Sequence, residues 1–263
     1  MGSATRNALA AATAELDAAK GVKLETGVQL LSAGRAIAGS TQLRAVLSDR
    51  SIPEKQKSGL LGAIFPKLDA LAAKLLGGII GSRWSDSDEL VDGIESVGIR
   101  ALAAAAGKDA GIEGELFAVG RAVSSDHELE LALGGKLGDP AAKSALITKL
   151  VGKQASPATL AILTHLVQSP RGRRIGELLS GAAEAVAEAA GRQIATVTAA
   201  APLTTAQLTR LSTALTSQYG IDTRVDVIVD PSVLGGLRVQ VGDEVVDGTV
   251  SARLTDLRLQ LAG

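Results

Sequence analysis

The sequence predicts a mainly α-helical protein with a small C-terminal α/β unit: two related helical bundles, then a strand–helix–strand–hairpin–helix segment. Three observations carry this expectation. First, 46% of the 263 residues are apolar, but Phe, Tyr and Trp together make up only 2%. Alanine and leucine therefore dominate, and such side chains suit closely packed helices. Second, residues 34–64 resemble residues 120–150. Third, helical periodicity gives way after residue 192 to β-branched alternation. A chain of this length can bury a sizeable core and hold two or three domains.

The N-terminal stretch "MGSATRNALAAATAELDAAK" contains Glu15 and Asp17 and no continuous apolar run, so it does not read as a signal peptide. Nowhere do 18 apolar residues run together without a charge, and no bilayer-spanning helix is expected. Helix starts are marked along the chain. In "SIPE" (51–54), Ser51, Pro53 and Glu54 form a capping-box pattern, and Asp86 with Glu89 repeats it in "DSDE". Asp139–Pro140 and Ser156–Pro157 are caps followed by proline at the first helical position.

Displaced by 86 residues, "GRAIAGSTQLRAVLSDRSIPEKQKSGLLGAI" aligns without a gap on "GRAVSSDHELELALGGKLGDPAAKSALITKL", and eight of 31 positions are identical. These include Gly34/Gly120, Arg35/Arg121, Leu43/Leu129, Lys57/Lys143 and Leu60/Leu146, while Pro53 and Pro140 miss each other by one position. The competing reading is chance similarity between alanine-rich helices. The shared order of helix, short helix, proline-led turn and helix argues for duplication. A period this long gives two copies of a small bundle rather than a solenoid of short repeats. One bundle is expected in residues 1–110 and a second in residues 111–192, with the α/β unit in residues 193–263.

Within the last segment, "QIATVTAAAPLT" reads as a strand ending before Pro202. "TTAQLTRLSTALTSQYG" reads as an amphipathic helix with Leu208, Leu211 and Leu215 on one face, closed by Gly220. In "DTRVDVIVD", Val225, Val227 and Val229 alternate inward. "LRVQVGDEVV" reads as a hairpin turning at Gly242–Asp243, where positive backbone angles are needed. A final helix, "TVSARLTDLRLQL", places Leu254, Leu257 and Leu261 on one stripe, a candidate partner contact.

Several function classes are excluded or weakened. There is no cysteine, which removes disulfides, thiol nucleophiles and cysteine-ligated metals. His127 and His165 have no acidic or histidine partner at ligand spacing; His165 reads as partly buried and structural, His127 as a solvated first-turn residue. A net charge of −1 and few aromatic rings suit nucleic acid poorly. In "SPRGRRIGE", Arg171, Arg173 and Arg174 bunch at a helix start, as a solvated turn or a rim contact to an acidic partner. No nucleophile–base pair, carboxylate dyad or metal cluster is visible, so the chain is expected to be no enzyme and to use no cofactor.

The stretch "VDPSVLGGLRVQVGDEVVDGTVSARLTDLRLQ" raises the question of a phosphate cradle. A cradle needs a strand, a glycine-rich turn with free amides and a helix N-terminus, usually with a lysine. Here the glycine pair leads into a strand, and no lysine follows Lys153. The residues read as architecture. Gly235 and Gly236 turn the backbone sharply into the hairpin, and Asp230 before Pro231 caps the turn. Asp247 and Gly248 close the hairpin, with Asp247 a candidate cap for the last helix.

The same stretch resembles the C-terminal signature of the delta subunits of F-type ATP synthases, the bacterial counterparts of the oligomycin-sensitivity-conferring protein. Asp230, Gly235, Gly236, Gly242, Asp247 and Gly248 fall on that pattern in order. "ATVTAAAPLTTAQLTRL" resembles the strand and helix before it, and "ELFAVGRAVSSDHELELAL" with "KSALITKL" resembles the family's helical domain. The likeness covers residues 111–263, and the extra helical copy before it resembles the longer delta subunits of actinobacteria. The resemblance implies a non-catalytic stator component in the peripheral stalk. Its helical domain would grip N-terminal helices of the alpha subunits, and its C-terminal unit the C-terminal end of the b subunit. It also implies a place at the cytoplasmic face of the bacterial plasma membrane, held there only through the complex, and no nucleic-acid partner. The alternative from the residues alone is a helical adaptor unrelated to ATP synthase, which gives no reason for the C-terminal motif.

Overall fold

The computed structural model describes residues 2–135, 138–242 and 244–254. These divide into two compact units, residues 1–190 and 191–263. The first unit is helical: α1 (Ser3–Asp17), α2 (Leu24–Ala38), α3 (Thr41–Ser48), α4 (Glu54–Ile64), α5 (Ala70–Gly81), α6 (Ser87–Ala106), α7 (Ile112–Ser124), α8 (His127–Gly134), α9 (Pro140–Val151), α10 (Pro157–Gln168) and α11 (Ile175–Ala189). The second contains β1 (Arg192–Ala199), α12 (Thr205–Tyr219), β2 (Asp222–Val229), β3 (Leu237–Val241) and β4 (Glu244–Asp247). The predicted fold class, mainly α with a C-terminal α/β unit, is the one observed.

Three of the four helix starts read from the sequence are capped by the predicted residue. Asp86 accepts the N–H groups of Asp88 and Glu89, both at 2.8 Å. Asp139 and Ser156 cap α9 and α10 just ahead of their prolines. Two details differ. Glu89 does not close a capping box, because its carboxylate takes the Thr5 hydroxyl of α1. At α4, Pro53 occupies the N-cap position itself, which leaves Ser51 two residues upstream of it, out of reach of the first-turn amides. Ser51 instead donates N–H and hydroxyl to Asp49 Oδ1, each at 2.8 Å.

Helix pairings repeat along the first unit. α1 packs on α5 and α6; α2 on α3, α5 and α6; α3 on α6; α4 on α5; and α5 on α6. Each of these pairings recurs five helices later, with α6 in the place of α1 and α11 in the place of α6. α6 thus closes the first set and opens the second, which its 20-residue length permits. Individual bonds recur too. Ser40 and Asp126, 86 residues apart, cap α3 and α8 by accepting from the residue three positions on. Buried Lys57 donates to the Leu47 carbonyl and buried Lys143 to the Gly135 carbonyl, each satisfying the end of the short preceding helix. Gln29 accepts the Asp69 N–H ahead of α5, and Glu115 accepts the Ser156 N–H ahead of α10.

The core of the first set includes Leu30, Leu75, Leu76, Ile79, Leu90 and Ile94, all fully buried. Each such side chain contributes about 1.5–3 kcal/mol of burial. α2 and α6 approach unusually closely: a Cβ at Gly27 would lie 2.6 Å from Leu102, and one at Gly98 2.7 Å from Leu31.

In the second unit the sheet order is β2-β1-β3-β4, with β1 parallel to β2 and antiparallel to β3, and β3 antiparallel to β4. Ala195, Val197 and Ala199 of central β1 are buried. A complete capping box at Thr204 and Gln207 starts α12. Burial along β2 is shallower than its alternation suggests. Val225 and Val227 are half-buried and Val229 is 45% exposed, because β2 is an edge strand, paired on one side alone among the described residues.

Candidate partner-binding site

Three helices of the second set leave a groove of about 610 Å³. Val119 and Val123 of α7, Leu133 of α8 and Ile147 of α9 form its buried floor. Leu150, 49% exposed, stands at the rim. The frame is held by the Asp126 and Asp139 caps, by Lys143 on the end of α8, and by Glu115, which takes both the N–H and the hydroxyl of Ser156 at 2.9 Å. Among the described residues that line it there is no acid–base pair or nucleophile, and the groove can bind an apolar surface.

A charge cluster ties the two helix sets together. Glu95 of α6 receives His165 Nε2 at 3.0 Å, Arg173 through two bonds at 2.9 Å, and Arg171 at 3.1 Å. Arg171 also donates to Asp92 at 2.6 Å. Arg35 of α2 donates Nη1 to His165 Nδ1 at 2.9 Å. Because a guanidinium can only donate, Nδ1 carries the lone pair and the ring is the neutral Nε2–H tautomer. Burial by itself would raise the Glu95 carboxyl, but the bonds from His165 and Arg173 and the charge of the Arg173 guanidinium hold it at about 2. Burial lowers His165, and although Glu95 opposes this, the ring stays below its ordinary value.

The residues singled out in the sequence are distributed as follows. Arg171 and Arg173 are not a solvated patch: both guanidiniums turn inward to Asp92 and Glu95, because the turn before α11 lies on the acidic face of α6. Arg171 adopts φ of 48° to do so. Arg174 is exposed at the N-cap of α11. His165 is buried as expected, and the His127 side chain is 81% exposed. In the second unit Asp230, ahead of Pro231, accepts the Ser232 N–H at 2.9 Å. Gly235, Gly236 and Gly242 have φ of 90°, 82° and 56°. A Cβ on Gly236 would lie 2.4 Å from the Gly248 carbonyl. The amides of Gly235 and Gly248 go to the Val233 and Leu237 carbonyls. Asp247 is not the cap of the last helix. That helix begins at Val250, so Thr249 caps it by accepting the Ala252 N–H at 3.2 Å, and Asp247 accepts the Thr249 N–H at 3.0 Å. Leu254 is 58% exposed; Leu257 and Leu261, like Asp243 in the hairpin turn, lie outside the described residues. Sequence reasoning missed Glu95 altogether, since nothing near it in the chain marks it as a charge centre.

Comparison with known proteins decides the family. Residues 99–261 match the family described as "ATP synthase delta (OSCP) subunit". The chain belongs to this family. It is 50% identical to the ATP synthase subunit delta of Leifsonia xyli over the whole of both chains. It is 40% identical to that of Streptomyces avermitilis over 98% of each chain, and 36% identical to that of Pseudarthrobacter chlorophenolicus over 97% of this chain and 96% of the relative. The family match begins inside α6, while these relatives align from end to end, so the helices before it belong to a longer form of the subunit. The chain is a non-catalytic stator subunit of the F-type ATP synthase, and an unrelated helical adaptor is set aside. Among the described residues no helix is long and apolar enough to cross a membrane.

Proposed function

We propose that the chain links the catalytic head of the synthase to the peripheral stalk. Its helical unit grips N-terminal helices of the alpha subunits, and its C-terminal unit holds the end of the b subunit through the face that carries Leu254. In this reading residues 1–110 are an extra copy of the helical bundle in residues 111–192, and residues 193–263 are the stalk-facing domain. The complex holds it at the cytoplasmic face of the plasma membrane. The observation that carries the reading is the apolar groove between α7, α8 and α9, which suits an amphipathic helix. A stator resists torque through rigidity and slow dissociation. The buried charge cluster supplies rigidity between the helix sets, and nanomolar holding needs about −12 kcal/mol, within reach of two linked sites. Adding the protein to delta-depleted heads and membranes is expected to restore coupled ATP synthesis. Equal coupling without it would sink the reading.

A further inference from the structure

The joint between the helix sets depends on one ring being neutral. His165 of α10 lies between Arg35 of α2, which donates to Nδ1 at 2.9 Å, and Glu95 of α6, which accepts from Nε2 at 3.0 Å. Once Nδ1 carries a proton it has no lone pair left for a guanidinium. α10 packs on α2, α6, α7, α9 and α11. The charged groups facing the ring are Arg35 from α2, Glu95 from α6 with Asp92 beyond it, and Arg171 and Arg173 from the turn ahead of α11. Glu188 of α11 is bonded to Arg100 instead. From α7, Glu115 meets α10 at its far end, at Ser156, and from α9 the contact is uncharged Ser144 with Gln168. Two carboxylates thus serve three guanidiniums, and a proton on the ring adds one more positive charge. Arg35 is the group left over. Among the described residues it has no carboxylate partner, and its one bond is to His165.

A way out for Arg35 is already present. α2 and α10 border a cleft of about 300 Å³, lined by Leu24, Val28, Leu31, Arg35, Pro157 and Leu160, and Arg35 is half-buried there. Among the described residues the Arg35–His165 bond is also the one hydrogen bond joining α2 to α10. We propose that His165 is a proton-operated latch: neutral, it fastens α10 to α2; protonated, it releases Arg35 into the cleft, and the first helix set parts from α10 with both sets still folded. Opening returns the ring to water and to its ordinary value of about 6.5, below which burial in the closed joint holds it. The open form therefore takes up the proton first, and below about pH 6.5 each pH unit shifts the ratio toward open by up to tenfold. Glu95, held at about 2, stays ionised in this range, so the histidine is the group that titrates.

The chain has no cysteine and two histidines, which gives the test two independent readouts. Spin labels on the full chain at Ala36→Cys of α2 and Ala145→Cys of α9, both exposed positions, report the distance between the sets. Imidazole nitrogen NMR reports the charge of His165, with His127, 81% exposed, as the internal reference. Between pH 7 and 5.5 a second, longer distance is expected to grow in step with protonation of His165, while helicity by circular dichroism stays constant. His165→Gln can accept and donate as the neutral ring does but never gains charge, and is expected to hold the distance fixed. Arg35→Met removes the charge that the protonated ring expels, and is expected to leave the distance independent of pH. An unchanged distance in the unmodified chain overturns the latch. So does the same pH-dependent opening in either folded variant, or loss of helicity in the same step as the opening.

Discussion

In the first helix set the segment after α4 turns Phe65 and Leu68 onto the core; in the second, Val151 stays in α9 and Gln154 takes the place of the leucine. Around this difference the skeletons agree, including the lysine that closes each short helix and the side chain that ties the second helix of each set to the start of the fifth. The bonds shared by the two sets are ones that satisfy buried backbone groups, where losing one leaves an unpaired carbonyl or amide. The lining of the surface groove is not kept in the same way: its volume is about 440 Å³ in the first set and about 610 Å³ in the second.

The largest expected effect is at the joint between the sets. Glu95→Ala leaves the guanidiniums of Arg171 and Arg173 facing each other without their shared carboxylate, at a cost of about 3–5 kcal/mol. Denaturant unfolding of the full chain checks this. A loss below 1 kcal/mol would mean that apolar packing alone joins the two sets.

The buried lysines test whether the copies are energetically as well as geometrically alike. Lys57→Met and Lys143→Met each strip a donor from a helix-end carbonyl, at an expected cost of about 1–3 kcal/mol. Similar losses in thermal unfolding sharpen the equivalence. A large loss at one site and none at the other breaks it.

Acid should loosen the joint in two stages. The folded His165 ring has a lowered pKa, so the unfolded chain takes up a proton first as pH falls below about 6.5. Stability from this group is complete above that pH and is lost below it, at most about 1.4 kcal/mol per pH unit. Protonating Nδ1 also removes the acceptor for Arg35. Glu95, held at about 2, adds stability above pH 4.5 that is lost as pH falls from 4.5 towards 2. His165→Gln is expected to flatten the unfolding profile between about pH 6.5 and 5; an unchanged slope there refutes the assignment.

The smallest effect is a control outside both helix sets. Thr249→Ala removes the cap of the last helix for about 1 kcal/mol. It should lower the melting of the C-terminal unit while leaving peptide binding by the helical unit untouched.

The sequence by itself determined what rests on neighbours a few residues apart. The caps at Asp86, Asp139 and Ser156, the turn at Asp230 and the glycines of the hairpin act across two or three residues, so their chemistry is written locally. The repeat of helix pairings and bonds has a trace in the sequence as well, a constant offset that shows wherever equivalent side chains make equivalent bonds. Ser51 and Asp247 misled because the pattern for a cap is right while the helix start is displaced by two residues, which proline geometry and the competing Thr249 hydroxyl decide. Only the tertiary structure decided the partners of the charges. Arg171 and Arg173 stand 76 and 78 residues from Glu95, and Arg35 stands 130 from His165. An arginine reads as solvated until folding brings a buried carboxylate within reach.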